Sequence, residues 1–414
     1  MSDKQRKSGI MICGHGSRDK DAEREFSRVA AGLKARFPDM PIEYGFLEFS
    51  APNIHMSLNK LVEQGVEDIY AVPGMLFAAT HARNDIPSVL LNYENQLTNS
   101  QVKIHYGSEL GLHPAMIEAF QTRIYQSMGM QAPEAALENS EDTEQLHNTD
   151  LHDTLLVVVG RGTSHTLANA EAAKLTRIVN ENMGFGWADT VYSGVTYPSV
   201  GAGLEILVKL GFKKIVVAPY FLFTGRLIKR IHAYIDKLAA ENPDIEFIKT
   251  PYLNDHPKVI DAFEVRLREI MDHQSSLTAN GESLMQSFQR RLAAGEVEIH
   301  HHHAEFVDPE ESAGSHEQHS HEHDHSHEPQ HSHEHQHSHA HSHDHSHGAQ
   351  DADEAAKKVP KKHSHGVYKH IHHPLGPRSM IGENLCCCFM SQFPKSVLDA
   401  EAEKIRTIQT LHKH

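Results

Sequence analysis

Cysteine is scarce in this chain: there are four in 414 residues, Cys13 and the run Cys386-Cys387-Cys388. That excludes the disulfide framework of a small secreted protein and fits a reducing compartment. Long apolar segments are missing too. No run of about 18 apolar residues occurs, and the first seven residues, Met-Ser-Asp-Lys-Gln-Arg-Lys, lead into a core strand and not into the apolar region of a signal sequence. A cytoplasmic location without membrane contact is therefore expected. Basic residues are outnumbered, 39 Lys and Arg against 55 Asp and Glu, for a net charge of −16 with histidine neutral. That balance argues against a nucleic-acid partner and leaves anion binding to local basic patches.

What is present is one half-domain written twice. Ile10-Met-Ile-Cys-Gly14-His15-Gly16-Ser17 and Leu156-Val-Val-Val-Gly160-Arg161-Gly162-Thr-Ser164 both carry an apolar strand into a Gly-X-Gly turn. Further on, Ile69-Tyr-Ala-Val-Pro73 through His81 lines up with Ile215-Val-Val-Ala-Pro219 through Leu227. His15 corresponds to Arg161 and His81 to Leu227. Glu48, in Gly45-Phe-Leu-Glu48, reads as the counterpart of Thr196 in Gly194-Val-Thr196. A histidine needed only for architecture has no reason to differ between copies, so the contrast points to one asymmetric site in the first half.

The expected fold is α/β: two similar lobes, each a small parallel sheet flanked by helices. Strands are expected at 9–13, 42–47, 68–73 and 102–106, and again at 155–159, 190–195, 214–218 and 246–250. The first-half helices are expected to begin near Asp21, Asn53, Asn84 and Pro114. The first half runs over residues 1–130. Residues 131–153 hold seven acidic and no Lys or Arg side chains and read as a solvated linker. The second half covers 154–273.

From 274 to 366 the composition turns low-complexity. Between His300 and His347 there are 19 histidines in 48 residues, alternating with Ser, Glu and Asp. Such a tract cannot support a core and is expected to be disordered, while its imidazoles and carboxylates suit divalent transition metals. The last segment, 367–414, holds Cys386, Cys387 and Cys388. Three adjacent thiols read either as ligands of an iron–sulfur cluster or soft metal, or as a thiol-rich loop, since neighbouring residues do not easily converge on one cluster.

In open parallel sheets ligands bind beyond the carboxyl ends of the strands, where this reading places His15, Glu48 and His81. Two neutral imidazoles and a carboxylate suit an open site for a divalent metal, and they can also accept protons from a ligand being metallated. Ser17 and Arg18 follow the Gly-His-Gly turn at the start of a helix that can hold an anion. Asp85 reads either as a site residue or as the N-cap of the next helix. Cys13, on its strand, reads as a small buried hydrophobe.

Taken together, Gly14-His15-Gly16-Ser17-Arg18, Gly45-Phe46-Leu47-Glu48, His81-Ala-Arg-Asn-Asp85-Ile86-Pro87, Gly160-Arg161-Gly162-Thr-Ser164 and Phe223-Thr-Gly-Arg226-Leu resemble the long form of the CbiX family of class II chelatases over about residues 8 to 270. The resemblance implies insertion of Co2+, as substrate metal, into sirohydrochlorin without ATP, in the oxygen-independent route to cobalamin. It implies His15 and His81 as proton acceptors and metal ligands supported by Glu48. Sirohydrochlorin carries eight carboxylates, so Ser17, Arg18, Asp85, Arg161, Ser164, Arg226 and Lys229 become candidate substrate contacts. Long members of the family often carry a histidine-rich stretch and a cysteine-containing end proposed to hold an iron–sulfur cluster. Two other readings stay open: a sirohydrochlorin ferrochelatase acting on Fe2+, and a cobalt or nickel storage protein or metallochaperone.

Overall fold

Strands buried on both faces of a parallel sheet read as continuous apolar runs, and the strands that open the two halves do so. In a computed structural model, β1 (Ser8–Gly14) is buried from its second residue onward and β5 (Thr154–Gly160) along its whole length. The structure describes residues 6–17, 19–48, 50–97, 101–132, 151–194, 196–273, 281–297 and 299. Arg18, the histidine tract and Cys386, Cys387 and Cys388 lie outside the described residues.

In the first half β1 is followed by α1 (Lys20–Arg36), β2 (Ile42–Phe46), α2 (Ile54–Glu63), β3 (Asp68–Pro73), α3 (Ile86–Gln96), β4 (Lys103–Tyr106) and α4 (Pro114–Ser127). The second half repeats this with β5, α5 (Thr166–Met183), β6 (Trp187–Tyr192), α6 (Val200–Leu207), β7 (Lys214–Pro219), α7 (Arg226–Glu241), β8 (Glu246–Lys249) and α8 (Pro257–Met271). Each sheet is wholly parallel, in the orders β2-β1-β3-β4 and β6-β5-β7-β8. The strand order reverses beside β1 and beside β5, which opens a crevice at their carboxyl ends.

The last helix of each half crosses to the other. Helix α8 packs on α1 and β3 of the first lobe, and α4 packs on α5 and α8. Phe120 of α4 meets Tyr220, just past β7, with ring centroids 5.0 Å apart. One core therefore takes in Ile10, Phe26, Phe120 and Val72 together with Leu156, Val158, Tyr220 and Phe263. Polar ties reinforce the exchange: Arg36 pairs with Glu264 at 2.6 Å, and the Arg123 guanidinium donates to the Leu253 carbonyl at 2.9 Å. Buried Glu25 on α1 accepts from the Thr224 amide at 2.8 Å and from the Tyr252 hydroxyl at 2.6 Å. Burial, and then the hydrogen bond to Glu25, push Tyr252 up to about 12. Truncating Phe120 would open a cavity in this shared core and cost about 3–5 kcal/mol.

Two expectations need correction. β6 lies at Trp187–Tyr192, not 190–195, because its paired length is set by β5: Leu155 faces Trp187 and Gly160 faces Tyr192. The apolar reading fixed on its buried second half and missed its exposed first residues. The stretch after 274, expected to be low-complexity throughout, contains α9 (Leu284–Ala293). Ser283 caps it by accepting from the Gln286 amide, and the Gln286 side chain accepts in return from the Ser283 amide, a full capping box. Leu284 is buried in the core of the first lobe, and Phe288 is buried too. Among the described residues no helix is long and apolar enough to cross a membrane.

Candidate active site

The site is built on a backbone zipper between the loops that follow β1 and β2. The Leu47 amide donates to the Gly14 carbonyl at 3.0 Å, and the Glu48 amide donates to the His15 carbonyl at 3.1 Å. Gly16 sits at φ 94°, and a Cβ there would fall 1.6 Å from the Glu48 carbonyl oxygen, so only glycine lets the loops approach this closely. The zipper puts His15 Nε2 3.4 Å from Glu48 Oε1. The Nδ1 of His15 lies 3.1 Å from the Gly16 carbonyl. As donor to that oxygen, Nδ1 carries the proton and Nε2 becomes the basic nitrogen facing Glu48.

His81 reaches the same point from the loop after β3. Its ring meets that of His15 edge to face, with centroids 4.4 Å apart. It stands in a short π-helix, His81–Asp85, in which the Ile86 amide donates to the His81 carbonyl five residues back. Pro87 explains the wide turn: it has no N–H to offer the Arg83 carbonyl four residues earlier, and its ring crowds that oxygen. Asp85, buried at 4%, does not cap α3; its carboxylate lies 2.6 Å from His81 Nδ1. That partner fixes the His81 tautomer, with the proton on Nδ1 and the lone pair on Nε2. A further group holds the turn. The Tyr106 hydroxyl donates to the Ala82 carbonyl at 2.9 Å, and burial pushes that phenol well above its ordinary range.

His15, Glu48 and His81 each offer one ligand atom within 4.8 Å of the others. Their side chains keep 29%, 13% and 21% of their exposure, so the cluster is recessed and still reachable. Three acceptors converge on one point, an arrangement that repels itself electrostatically until a proton or a cation sits between them. Cys13, two residues before His15, is fully buried in the apolar core of the first lobe, and burial pushes its thiol up.

The remaining expected residues fall in different places. Ser17 is tied by the Ser50 hydroxyl, which accepts from the Ser17 amide at 2.9 Å and donates to the Ser17 carbonyl at 2.8 Å. Its own hydroxyl accepts from the Asp19 amide at 3.0 Å, and that oxygen lies 4.0 Å from where a Cβ on Gly225 of the other lobe would stand. Arg161 holds the position of His15 in the second lobe. It is exposed, yet desolvation by the surrounding protein lowers its pKa and the Glu48 charge opposes that shift, which places this guanidinium within the field of Glu48. Arg226 opens α7, and its charge helps hold Asp19 below the usual carboxylate range. Ser164 is exposed ahead of α5. Lys229 pairs with Asp19 at 2.7 Å, because Asp19, capping α1, faces the first turn of α7.

The counterpart of Glu48 also needs correction. Gly162, at φ 79°, presses on the Gly194 carbonyl as Gly16 presses on that of Glu48, so the matching residue is Gly194 and Thr196 matches Ser50. Matching Glu48 to Thr196 passes over the residue that marks register in these loops: Pro52 and Pro198 each stand six residues after Phe46 and Tyr192, which end the two strands. Asp85 as the partner of His81, Tyr106 beneath the turn and Arg291 from α9 were all missed, since each acts through backbone or tautomer and leaves no motif.

A CbiX family model matches residues 9–127 and 155–270, one match to each half. The chain is 32% identical over 293 residues to the sirohydrochlorin cobaltochelatase of Priestia megaterium, spanning 70% of this chain and 87% of that one. It is 27% identical over 263 residues to the sirohydrochlorin ferrochelatase of Bacillus subtilis (strain 168), spanning 64% and 92%. Among solved structures, SirB from Bacillus subtilis with Fe3+ superposes with a TM-score of 0.54 at 26% identity, over 65% of this chain and 99% of that one.

Proposed function

The chain belongs to the CbiX family, and from that premise we propose that it is a sirohydrochlorin chelatase whose substrate metal is Co2+. The observation that carries the reading is the convergence of His15, Glu48 and His81 at the crevice, with Nδ1 of each imidazole committed to an oxygen behind it. Metallation exchanges two pyrrole protons for a divalent ion. Neutral imidazoles suit both halves of that exchange, because Nε2 can present the metal and then take a proton near neutral pH. Glu48 offsets the charge of the ion, and Asp85 steadies the imidazolium that forms on His81. Arg161, across the crevice, supplies a cation toward the carboxylates of the macrocycle.

Cobalt is preferred because the cobaltochelatase relative is the more similar of the two, 32% against 27% identical. The histidine tract, carried on the same chain, would raise the local concentration of divalent metal through the tether. Iron is the second reading, favoured by the ferrochelatase relative that this chain matches over 92% of that relative's length. The test is anaerobic incubation of sirohydrochlorin with Co2+ or Fe2+, following the macrocycle's absorption for wild type, His15→Ala/His81→Ala and a chain lacking residues 300–347. Faster Co2+ than Fe2+ insertion that vanishes in the double variant and survives the tail deletion supports the reading. Equal rates for wild type, double variant and free solution would sink it and favour metal storage.

A further inference from the structure

Helix α9 lies beyond the last residue matched by the family, 270, and no part of the mechanism above uses it. It nevertheless packs on the π-turn that carries His81 and on α3. The contact is specific. Arg291 donates through Nη2 to the Arg83 carbonyl at 2.7 Å, through Nη1 to Asn84 Oδ1 at 2.7 Å, and through Nε to the Ser287 carbonyl of its own helix at 3.2 Å. The Arg83 carbonyl is the group that Pro87 cannot serve, because proline brings no N–H to the position four residues on. A planar guanidinium bridges a backbone oxygen and a side-chain oxygen with donors at fixed angles, whereas a lysine ammonium on its flexible stem holds no such geometry.

The second lobe shows what happens without these parts. Its residue in the place of Pro87 is Ala233, and α7 runs from Arg226 as an ordinary α-helix. In the first lobe the wide turn keeps His81 and Asp85 in contact and leaves a carbonyl to be satisfied from outside.

We propose that Arg291 is a positioning residue for the metal site: α9 supplies the hydrogen-bond donor that Pro87 removes, and thereby locks the π-turn with His81 aimed at His15 and Glu48. This rests on the chelatase reading for its catalytic consequence, while its structural half stands without it. Leu284, with Met285 beside it, anchors the helix in the core of the first lobe, and Phe288 is buried as well, so the clamp is built on a fixed support.

The test uses the full chain in Arg291→Ala, Arg291→Lys and Arg290→Ala forms, with peptide-resolved hydrogen exchange and metal-insertion kinetics. Arg290 is the control on the same helix, since it is exposed and pairs with Glu282. In Arg291→Ala, exchange across residues 81–90 is expected to rise while that of β1 and β5 stays put. The kcat should fall roughly 10- to 100-fold, the usual cost of losing a group behind a metal ligand, with KM for the macrocycle within about two-fold of wild type. Arg291→Lys should recover part of both effects, and Arg290→Ala should match wild type.

Pro87→Ala provides the sharper readout. It restores an amide hydrogen opposite the Arg83 carbonyl, so adding Arg291→Ala to it should cost much less than the same change in wild type. Unchanged exchange and turnover in Arg291→Ala, or full additivity with Pro87→Ala, would overturn the proposal. If wild type inserts no metal at all, the chelatase reading fails, and the exchange arm alone decides whether the clamp exists.

Discussion

The loops after β1 and β5 are held by the same contacts: Gly16 and Gly162 both have positive φ and both press on a carbonyl of the neighbouring loop. The Leu47 amide donates to the Gly14 carbonyl in one lobe, and the Ser193 amide donates to the Gly160 carbonyl in the other. The side chains they display have nothing in common. Where the first lobe has His15, Glu48, His81, Asp85 and Pro87, the second has Arg161, Gly194, Leu227, Ile231 and Ala233. Two other histidines were kept. His113 and His256 each accept, through Nδ1, a hydrogen bond at 3.2 Å from an amide at the start of α4 and α8. A duplicated fold thus sorts its own residues: what both lobes keep is architecture, and what one lobe lost is chemistry.

The largest test of that division is the removal of the lost set from the lobe that kept it. His15→Ala/His81→Ala should lower metal insertion by about 10^3-fold, within the range for a positioned base. Thermal stability should stay within about 1 kcal/mol, because the two rings are partly exposed. Next in size is a symmetric change. Gly16→Ala and Gly162→Ala both drive a methyl into a backbone oxygen at a positive φ, and each should destabilise by about 2–4 kcal/mol in urea titrations. Only Gly16→Ala should also abolish turnover of the folded fraction. If Gly162→Ala were tolerated, the two backbones would not be equivalent, and the comparison would fail. Smaller again is Asp85→Asn, which leaves a hydrogen-bonding group at His81 Nδ1 but no charge. Metal insertion should fall roughly 10- to 100-fold with the fold intact by circular dichroism.

Much of this was legible in the sequence. The duplicated strand-to-glycine pattern announced two parallel sheets, and the histidines present in one copy alone marked the site, because glycine spacing and apolar runs are local signals. What was hidden depends on tertiary partners. Nothing near Lys229 shows that α7 begins opposite Asp19, whereas the true match of Glu48, Gly194, was readable from Pro52 and Pro198, each four residues further on. Helix α9 was hidden by its neighbourhood: the histidine tract coloured the whole region, although Ser283-Leu-Met-Gln286 with Phe288 four residues after Leu284 is a readable capping box and apolar stripe. Pro87 stood in plain view, but its effect on the Arg83 carbonyl appears only once Arg291 is seen to answer it.

The smallest effect tests the other side of the comparison, the histidines both lobes kept. Each serves as a helix cap only while Nδ1 holds a lone pair, so protonation removes the acceptor. Burial, then Arg266, holds His113 below the ordinary histidine range against Glu269 and Asp261. Burial, then Arg123, does the same for His256, with Lys258 assisting and Glu118 and Asp261 opposing. The unfolded chain therefore takes up protons where the folded chain does not. The stability these caps contribute is complete above about pH 6.5 and is lost as the pH falls through their lowered folded values. His113→Ala and His256→Ala should each cost about 1 kcal/mol at pH 7.5, with metal insertion by the folded protein unchanged. Carried together, they should flatten the decline in urea midpoint between pH 7.5 and 5. A decline just as steep in the double variant would assign it to His55, His165 and His232, which burial also holds below the ordinary range, and would remove the caps from the architecture that the two lobes share.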